Sequence, residues 1–177
     1  MKVLGAILAG GRSSRFGSDK ATALFDGRPL IDCAITTLRD QVDEVIICGP
    51  SKYGFRCIAD RPVPGLGPLG GINAALLDAD DRGFDIVVTL PCDTPIIPDE
   101  LVSRLTAAGV PSFVISSPVI GCWPASLWKT LDDHLATTTD RSMRSWAEQV
   151  SANGLDLGSV ANINTPQDLE RLESYRG

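Results

Sequence analysis

The sequence predicts one α/β domain, three layers deep in α/β/α order, with a mostly parallel, Rossmann-like sheet in the middle. Apolar runs of strand length alternate with helical patterns along most of the chain, as βαβ construction requires. Several of these runs break into glycine where an open α/β sheet would meet its ligand. The 177 residues contain no repeat, low-complexity tract or linker, so a single domain spanning 1–177 is expected.

The first strand is read at residues 3–8, where β-favouring residues run into Gly10-Gly11. Asp26-Gly27-Arg28-Pro29 is a turn, and Pro29 opens a helix to Arg39 with Leu30, Cys33, Ala34, Thr37 and Leu38 inward. Residues 44–48 (EVIIC) form a buried strand stopped by Gly49-Pro50, and a shorter strand covers 56–59, ending at Asp60. Residues 61–71 (RPVPGLGPLGG) hold too many turn formers for regular structure, and a helix over 69–77 follows. Residues 84–90 (FDIVVTL) are the clearest strand and lead into Pro91-Cys92-Asp93-Thr94-Pro95. Pro98 opens a helix with Leu101, Leu105 and Ala108 inward.

The last third is expected to hold strands at 112–116 and 119–122, helices at 126–134 and 142–150, and a final strand at 160–163. Thr165-Pro166-Gln167-Asp168 has the form of a helix start, with threonine at the cap and proline at the first helical position.

Residues 8–20, LAGGRSSRFGSDK, are the stretch around which the chain is organised. Glycines allow the backbone to turn and to approach a ligand closely, so that amides of Gly10-Gly11 converge on phosphate oxygens. Up to Lys20 the chain carries Lys2, Arg12, Arg15 and Lys20 against Asp19 alone, although its net charge is −6. That local inversion of sign marks a polyphosphate site. The spacing is neither a Walker A loop nor a G-x-G-x-x-G fingerprint.

A net negative charge repels nucleic acid, so a small phosphorylated metabolite is the better ligand, and no nucleic-acid partner is expected. The five cysteines are odd in number and widely spaced, with no C-x-x-C, which disfavours a disulfide framework or a zinc site. No apolar run approaches a membrane span, and the first strand starts too early for a signal peptide, so a cytoplasmic protein without membrane contact is expected.

Asp93 follows the central strand at the ligand-binding edge, where a hard carboxylate oxygen suits Mg²⁺ holding phosphates; capping of the next turn is its structural alternative. Asn162 and Asn164 do not titrate, so their chemical use would be as metal or hydroxyl ligands, against a structural role at a strand end. His134 is the only histidine and stands far along the chain from the glycine stretch, which argues against a Ser-His-Asp triad or a histidine-rich metal centre. Phosphoryl and nucleotidyl transfer need neither.

The pattern LAGG-x-S-x-R-[MF]-G-x-D-K at residues 8–20, PCDTP at 91–95 and N-x-N-T-P-x-D-L at 162–169 together resemble the molybdenum cofactor guanylyltransferases. These enzymes have the nucleoside-diphospho-sugar transferase fold. The resemblance implies transfer of GMP from GTP to the terminal phosphate of molybdopterin, with Mg²⁺, releasing pyrophosphate. It implies nucleotide contacts at Leu8, Ala9, Gly10 and Gly11, triphosphate neutralisation by Arg15 and Lys20, a guanosine contact at Asp60 and the metal at Asp93. Asn162 and Asn164 would lie near the metal and the pterin phosphate. Residues 1 to about 110 would bind nucleotide and the remainder the acceptor, with 65–71 as a second nucleotide loop. A monomer is expected, making transient contact with cofactor-synthesising or recipient proteins.

The cytidylyl relatives carry LAAG where this chain has Leu8-Ala9-Gly10-Gly11, so Gly10 points to guanine, whereas Phe16 is commoner in the cytidylyl branch. Cys48 stands where many members have asparagine, and Ser117-Pro118 where many have His-Pro. Arg141-Ser142 and Trp146 match the family's C-terminal pattern. The rival readings are a nucleotidyltransferase using CTP and a non-catalytic GTP-binding escort for the cofactor.

Overall fold

A computed structural model describes residues 1–10, 21, 23–50, 54–158, 160, 163, 167 and 168. In chain order the elements are β1 (Val3–Leu8), β2 (Leu24–Phe25), β3 (Arg28–Pro29), α1 (Leu30–Arg39), β4 (Glu44–Cys48), β5 (Cys57–Ile58) and α2 (Pro68–Asp81). Then come β6 (Ile86–Pro91), α3 (Leu101–Ala107), β7 (Ser112–Val114), β8 (Ser117–Pro124), α4 (Trp128–Thr137), α5 (Met143–Gln149) and β9 (Asn153–Leu155).

The main sheet has the order β5-β4-β1-β6-β8-β7-β9. β1 pairs in parallel with both β4 and β6, and β4 with β5. β8 is antiparallel to β6 and β7, while β9 runs parallel to β7, so β8 runs opposite to the other described strands of this sheet. The chain leaves β1 toward β4 and β5, then crosses back through α2 to β6 on the other side of β1. In open α/β sheets such a reversal of winding sets the ligand crevice beyond the carboxyl ends of the strands, here β1 and β6.

Side chains alternate along each strand, so β1 feeds two cores. Val3 and Ile7 pack on one face with Val88 and Leu90 of β6, with Ile31, Ala34, Ile35 and Leu38 of α1, and with Leu101, Val102 and Leu105 of α3. Leu4 and Ala6 point the other way, toward Leu69, Ile72 and Leu76 of α2, Leu131 of α4, Trp146 of α5, and Trp123. Thr89 is fully buried inside the sheet and accepts from Trp123 Nε1 at 3.1 Å while donating to the Val119 carbonyl at 2.6 Å. Pairing of its hydroxyl offsets the penalty of burying it.

Several expectations need correction. Asp26-Gly27 is the tip of a β2–β3 hairpin, both residues having positive φ (48° and 73°), as a two-residue primed turn demands. Pro29 closes that hairpin and caps α1, which begins at Leu30. The buried face of α1 comprises Leu30, Ile31, Ala34, Ile35 and Leu38; Cys33 and Thr37 sit at its margin. Helix α2 starts at Pro68 and reaches Asp81, so the irregular segment stops at Gly67 and Gly70-Gly71 belong to the first helical turns. Ala108 is the C-cap of α3, and Val102 takes the inward place given to it. β8 is longer than expected, a 3-10 turn (Ala125–Leu127) precedes α4, and α4 extends to Thr137.

Ser142 caps α5, its hydroxyl accepting the Ser145 amide at 3.1 Å. Neither Val160 nor Ile163 lies in a strand, and residues 161 and 162 between them are outside the described residues. The C-terminal edge strand is instead β9, whose register pairs Ser112 with Asn153. Gln167 and Asp168 are helical; Thr165 and Pro166 lie outside the described residues.

Candidate active site

Three parallel strands end together. Leu8 is in register with Cys48 of β4 and with Pro91 of β6, which brings the three following segments to one edge. Backbone pairing continues past the strand ends: the Ala9 amide donates to the Cys48 carbonyl at 2.9 Å, Cys92 to Leu8 at 3.2 Å and Gly49 to Ile58 at 3.0 Å. Leu8 and Ala9 are half-buried and Gly10 is exposed, so the backbone emerges from the sheet at the glycine.

Gly49 is pressed against this exit. A Cβ there would stand 3.1 Å from the Ala9 carbonyl carbon and 3.3 Å from the Gly10 nitrogen. Its φ of 153° also disfavours an L side chain, so the turn after β4 holds the start of the glycine stretch by close backbone contact. From sequence Gly49 reads only as a strand terminator. Its place immediately after a buried strand is the signal that could have marked it.

Asp60 reaches the same place from β5. Its Oδ1 is 3.5 Å from where a Cβ on Gly10 would be, and its Cβ is 3.2 Å from the corresponding point on Gly70. On Gly71 an added Cβ would meet Cys48 Cβ and Leu8 Cδ2, each at 3.1 Å. The two helical glycines thus let the start of α2 lie directly on the edge of the sheet and hold Asp60 beside Gly10. Burial pushes the Asp60 carboxyl above the usual carboxylate range, and a hydrogen bond from the Gly65 amide works in the opposite direction.

Asp93 stands past the end of β6, half-buried, with Thr94 fully buried behind it and the Thr94 hydroxyl 3.5 Å from Oδ1. Its carbonyl accepts the Ile163 amide at 3.0 Å, which brings Ile163 to this edge. Among the described residues no three His, Cys, Asp or Glu side chains form a metal cluster. One carboxylate at a sheet edge fits Mg²⁺, which characteristically takes one or two protein carboxylates and fills its shell with phosphate oxygens and water.

Of the residues chosen from sequence, the structure brings Leu8, Ala9, Gly10 and Asp60 together and sets Asp93 on the neighbouring strand end. Gly11, Arg15, Lys20, Asn162 and Asn164 lie outside the described residues. Cys48 is 1% exposed and burial pushes its thiol well above the usual range, with nearby Asp60 adding to the effect. It is a packing residue and presents no side chain to the crevice. Ser117 begins β8, the strand antiparallel to β6, so Ser117-Pro118 enter from the same edge as Asp93.

The profile of the MobA-like NTP transferase domain matches residues 5–153. A molybdenum cofactor guanylyltransferase of Cereibacter sphaeroides is 35% identical over 98% of this chain and 97% of its own length. This chain belongs to that family. A second guanylyltransferase, from Sinorhizobium fredii, is 33% identical over 96% of this chain and 89% of its own.

Among solved structures, molybdopterin-guanine dinucleotide biosynthesis protein A from Archaeoglobus fulgidus superposes with a TM-score of 0.76, covering 98% of each chain at 23% identity. The cytidylyltransferase for 2-C-methyl-D-erythritol 4-phosphate from Thermus thermophilus covers 97% of each chain with a TM-score of 0.70 at 13% identity. These likenesses show the nucleotidyltransferase fold, and the guanylyltransferase relatives show the enzyme class.

Proposed function

We propose that this chain transfers GMP from GTP to the terminal phosphate of molybdopterin, in the presence of Mg²⁺, yielding the guanine dinucleotide form of the cofactor and pyrophosphate. The observation that carries the reading is the convergence of the Leu8-Ala9-Gly10 backbone with Asp60, 3.5 Å from the Cβ position of Gly10, beside the strand end that presents Asp93. The guanylyltransferase relatives support GTP as donor.

In the reaction, a phosphate oxygen of molybdopterin attacks the α-phosphorus of GTP in line with the departing group. One P–O bond forms, the bond from the α-phosphorus to the α,β-bridging oxygen breaks, and that oxygen leaves on pyrophosphate. No covalent enzyme intermediate is needed. The backbone at Leu8-Ala9-Gly10 would hold the nucleotide together with Gly11, and Asp60 would accept from guanine N–H groups. Arg15 and Lys20 would neutralise the triphosphate and the charge growing on pyrophosphate. Asp93 would hold Mg²⁺, which when bound draws charge from the phosphate oxygens.

Asn162 and Asn164 would serve the pterin phosphate, a role supported by the bond from Ile163, between them in sequence, to the Asp93 carbonyl. The C-terminal part, from residue 111 on, would receive the acceptor at the start of β8. No helix among the described residues is long and apolar enough to cross a membrane. A monomer in the cytoplasm, meeting its biosynthetic and recipient proteins transiently, is the associated proposal.

Reconstitution with GTP, MgCl₂ and molybdopterin tests the proposal, with chromatography for the guanine dinucleotide and a pyrophosphate assay as readouts. Formation of the cytosine dinucleotide in preference, from an equimolar mixture of GTP and CTP, refutes it.

A further inference from the structure

Beside the candidate site lies a group of polar side chains that the proposed chemistry does not use. Arg61 follows Asp60 directly and its Nη2 donates to Asp132 Oδ2 of α4 at 3.2 Å. The other oxygen of the same carboxylate accepts from Asn73 Nδ2 of α2, a residue with no solvent exposure. One aspartate therefore ties the segment after β5 to two helices. The Arg61 backbone is held to α2 by a further bond, its amide donating to the Gly70 carbonyl at 3.1 Å.

The arrangement runs along a single face of α2. Gly70 abuts Asp60, and Asn73, three residues on, faces the carboxylate that holds Arg61. Beyond Arg61 the chain passes to Gly65, whose amide bonds the Asp60 carboxylate, and to Gly67, whose carbonyl accepts the Gly70 amide at 3.2 Å. Segment 61–67 thus closes on itself around Asp60, and the Arg61 side chain ties it to the helical layer through Asp132. Two buried polar atoms in this group, Arg61 Nε and Asn73 Oδ1, have no hydrogen-bond partner among the described residues.

We propose that Asp132 is a positioning residue for nucleotide recognition. It straps segment 61–67 to α2 and α4 through Arg61 and Asn73, and so fixes the direction in which Asp60 faces the base. The proposal rests on the reading of Asp60 as the guanine contact. Asp132 touches no substrate; it acts through Arg61. Its loss loosens the hold on the base and leaves the phosphate chemistry at Asp93 in place.

The test uses Asp132→Ala and Asp132→Asn, with Arg61→Ala and the Arg61→Ala/Asp132→Ala double variant. Hydrogen exchange of the nucleotide-free proteins reads the strap itself: the amides of Arg61 and Gly65 are expected to exchange about tenfold faster in Asp132→Ala, with the β1 and β6 amides unchanged. Kinetics then read its purpose. KM for GTP is expected to rise about tenfold, kcat to change less than about twofold, and preference for GTP over CTP to fall, the double variant being no worse than the worse single one.

Asp132→Asn, close to isosteric, guards against misfolding and is expected to fall between parent and alanine variant. Unchanged exchange at Arg61 and Gly65 overturns the strap, and faster exchange with unchanged KM and base preference overturns its role in recognition. If the parent protein does not bind GTP, the proposed function fails, and the recognition role falls with it, while the exchange result still decides the strap.

Discussion

Gly70→Ala isolates the placement of Asp60 from the stability of the fold. A methyl group at residue 70 would lie 3.2 Å from Asp60 Cβ, 3.3 Å from Asp60 Cγ and 3.2 Å from Leu66 Cβ. Carbon atoms settle at about 3.5–4.0 Å, so Asp60 must retreat by roughly 0.3–0.8 Å, away from α2. Leu66 blocks the alternative of sliding the methyl sideways. Gly70 lies in a helix without positive φ, so alanine there gains about 1 kcal/mol of helix propensity, of the same order as the overpacking penalty of about 1–3 kcal/mol.

Stability should consequently move by no more than about 2 kcal/mol, whereas sub-ångström misplacement of a recognition group should reduce GTP affinity on the order of tenfold. Titration calorimetry with GTP and Mg²⁺, paired with urea unfolding, measures both. Affinity unchanged in a folded Gly70→Ala protein would refute the reasoning, because Asp60 would then not be the group whose position matters.

Asp93→Asn is expected to lower turnover at least about a hundredfold with little change in urea midpoint, and EDTA should abolish turnover in the parent until MgCl₂ is restored; both are read by pyrophosphate release. Asp60 keeps its proton more tightly in the folded chain than in the unfolded one. Its contribution therefore favours folding at acid pH and is lost as pH rises from about 3.9 through the raised folded value. Asp60→Asn should accordingly leave the protein equally or more stable at pH 7 by urea unfolding while weakening GTP binding. In the parent, GTP affinity should fall on acidification at a pH above that of an ordinary aspartate, as fluorescence titration would show. Ser142→Ala removes the cap of α5 and should destabilise by about 1 kcal/mol, a drop of a few degrees in Tm by calorimetry, with GTP affinity unchanged.

The strands β1, β4 and β6 were legible because each is mostly apolar, buried on both faces over most of its length and followed or ended by a glycine or proline. The position of Asp93 was legible for a related reason: its distance along the chain from a central strand puts it at the carboxyl edge of the sheet whichever helix packs above. The α1 face was misread because Ile31 and Ile35 lie beside the stripe that periodicity picks out, and a helix covering a sheet buries a wider band than one periodic row. β9 escaped because Asn153-Gly154-Leu155 has little strand character; it is ordered by pairing with β7 at the sheet edge.

By itself the sequence determined the local terms: where backbone turns, which runs are apolar, and which residues bring charge, carboxylate or amide chemistry. Its motifs also carried the family. Tertiary structure decided which distant residues meet: Asp60 against Gly10 and Gly70, Gly49 against Ala9, and Asp132 against Arg61 and Asn73. Those around Asp60 arise from packing α2 onto the carboxyl edge of β1, β4 and β5 at a separation only glycine permits. Spacing along a chain encodes a residue's phase on its own helix or strand, whereas the distance between two elements is set by the side chains of both.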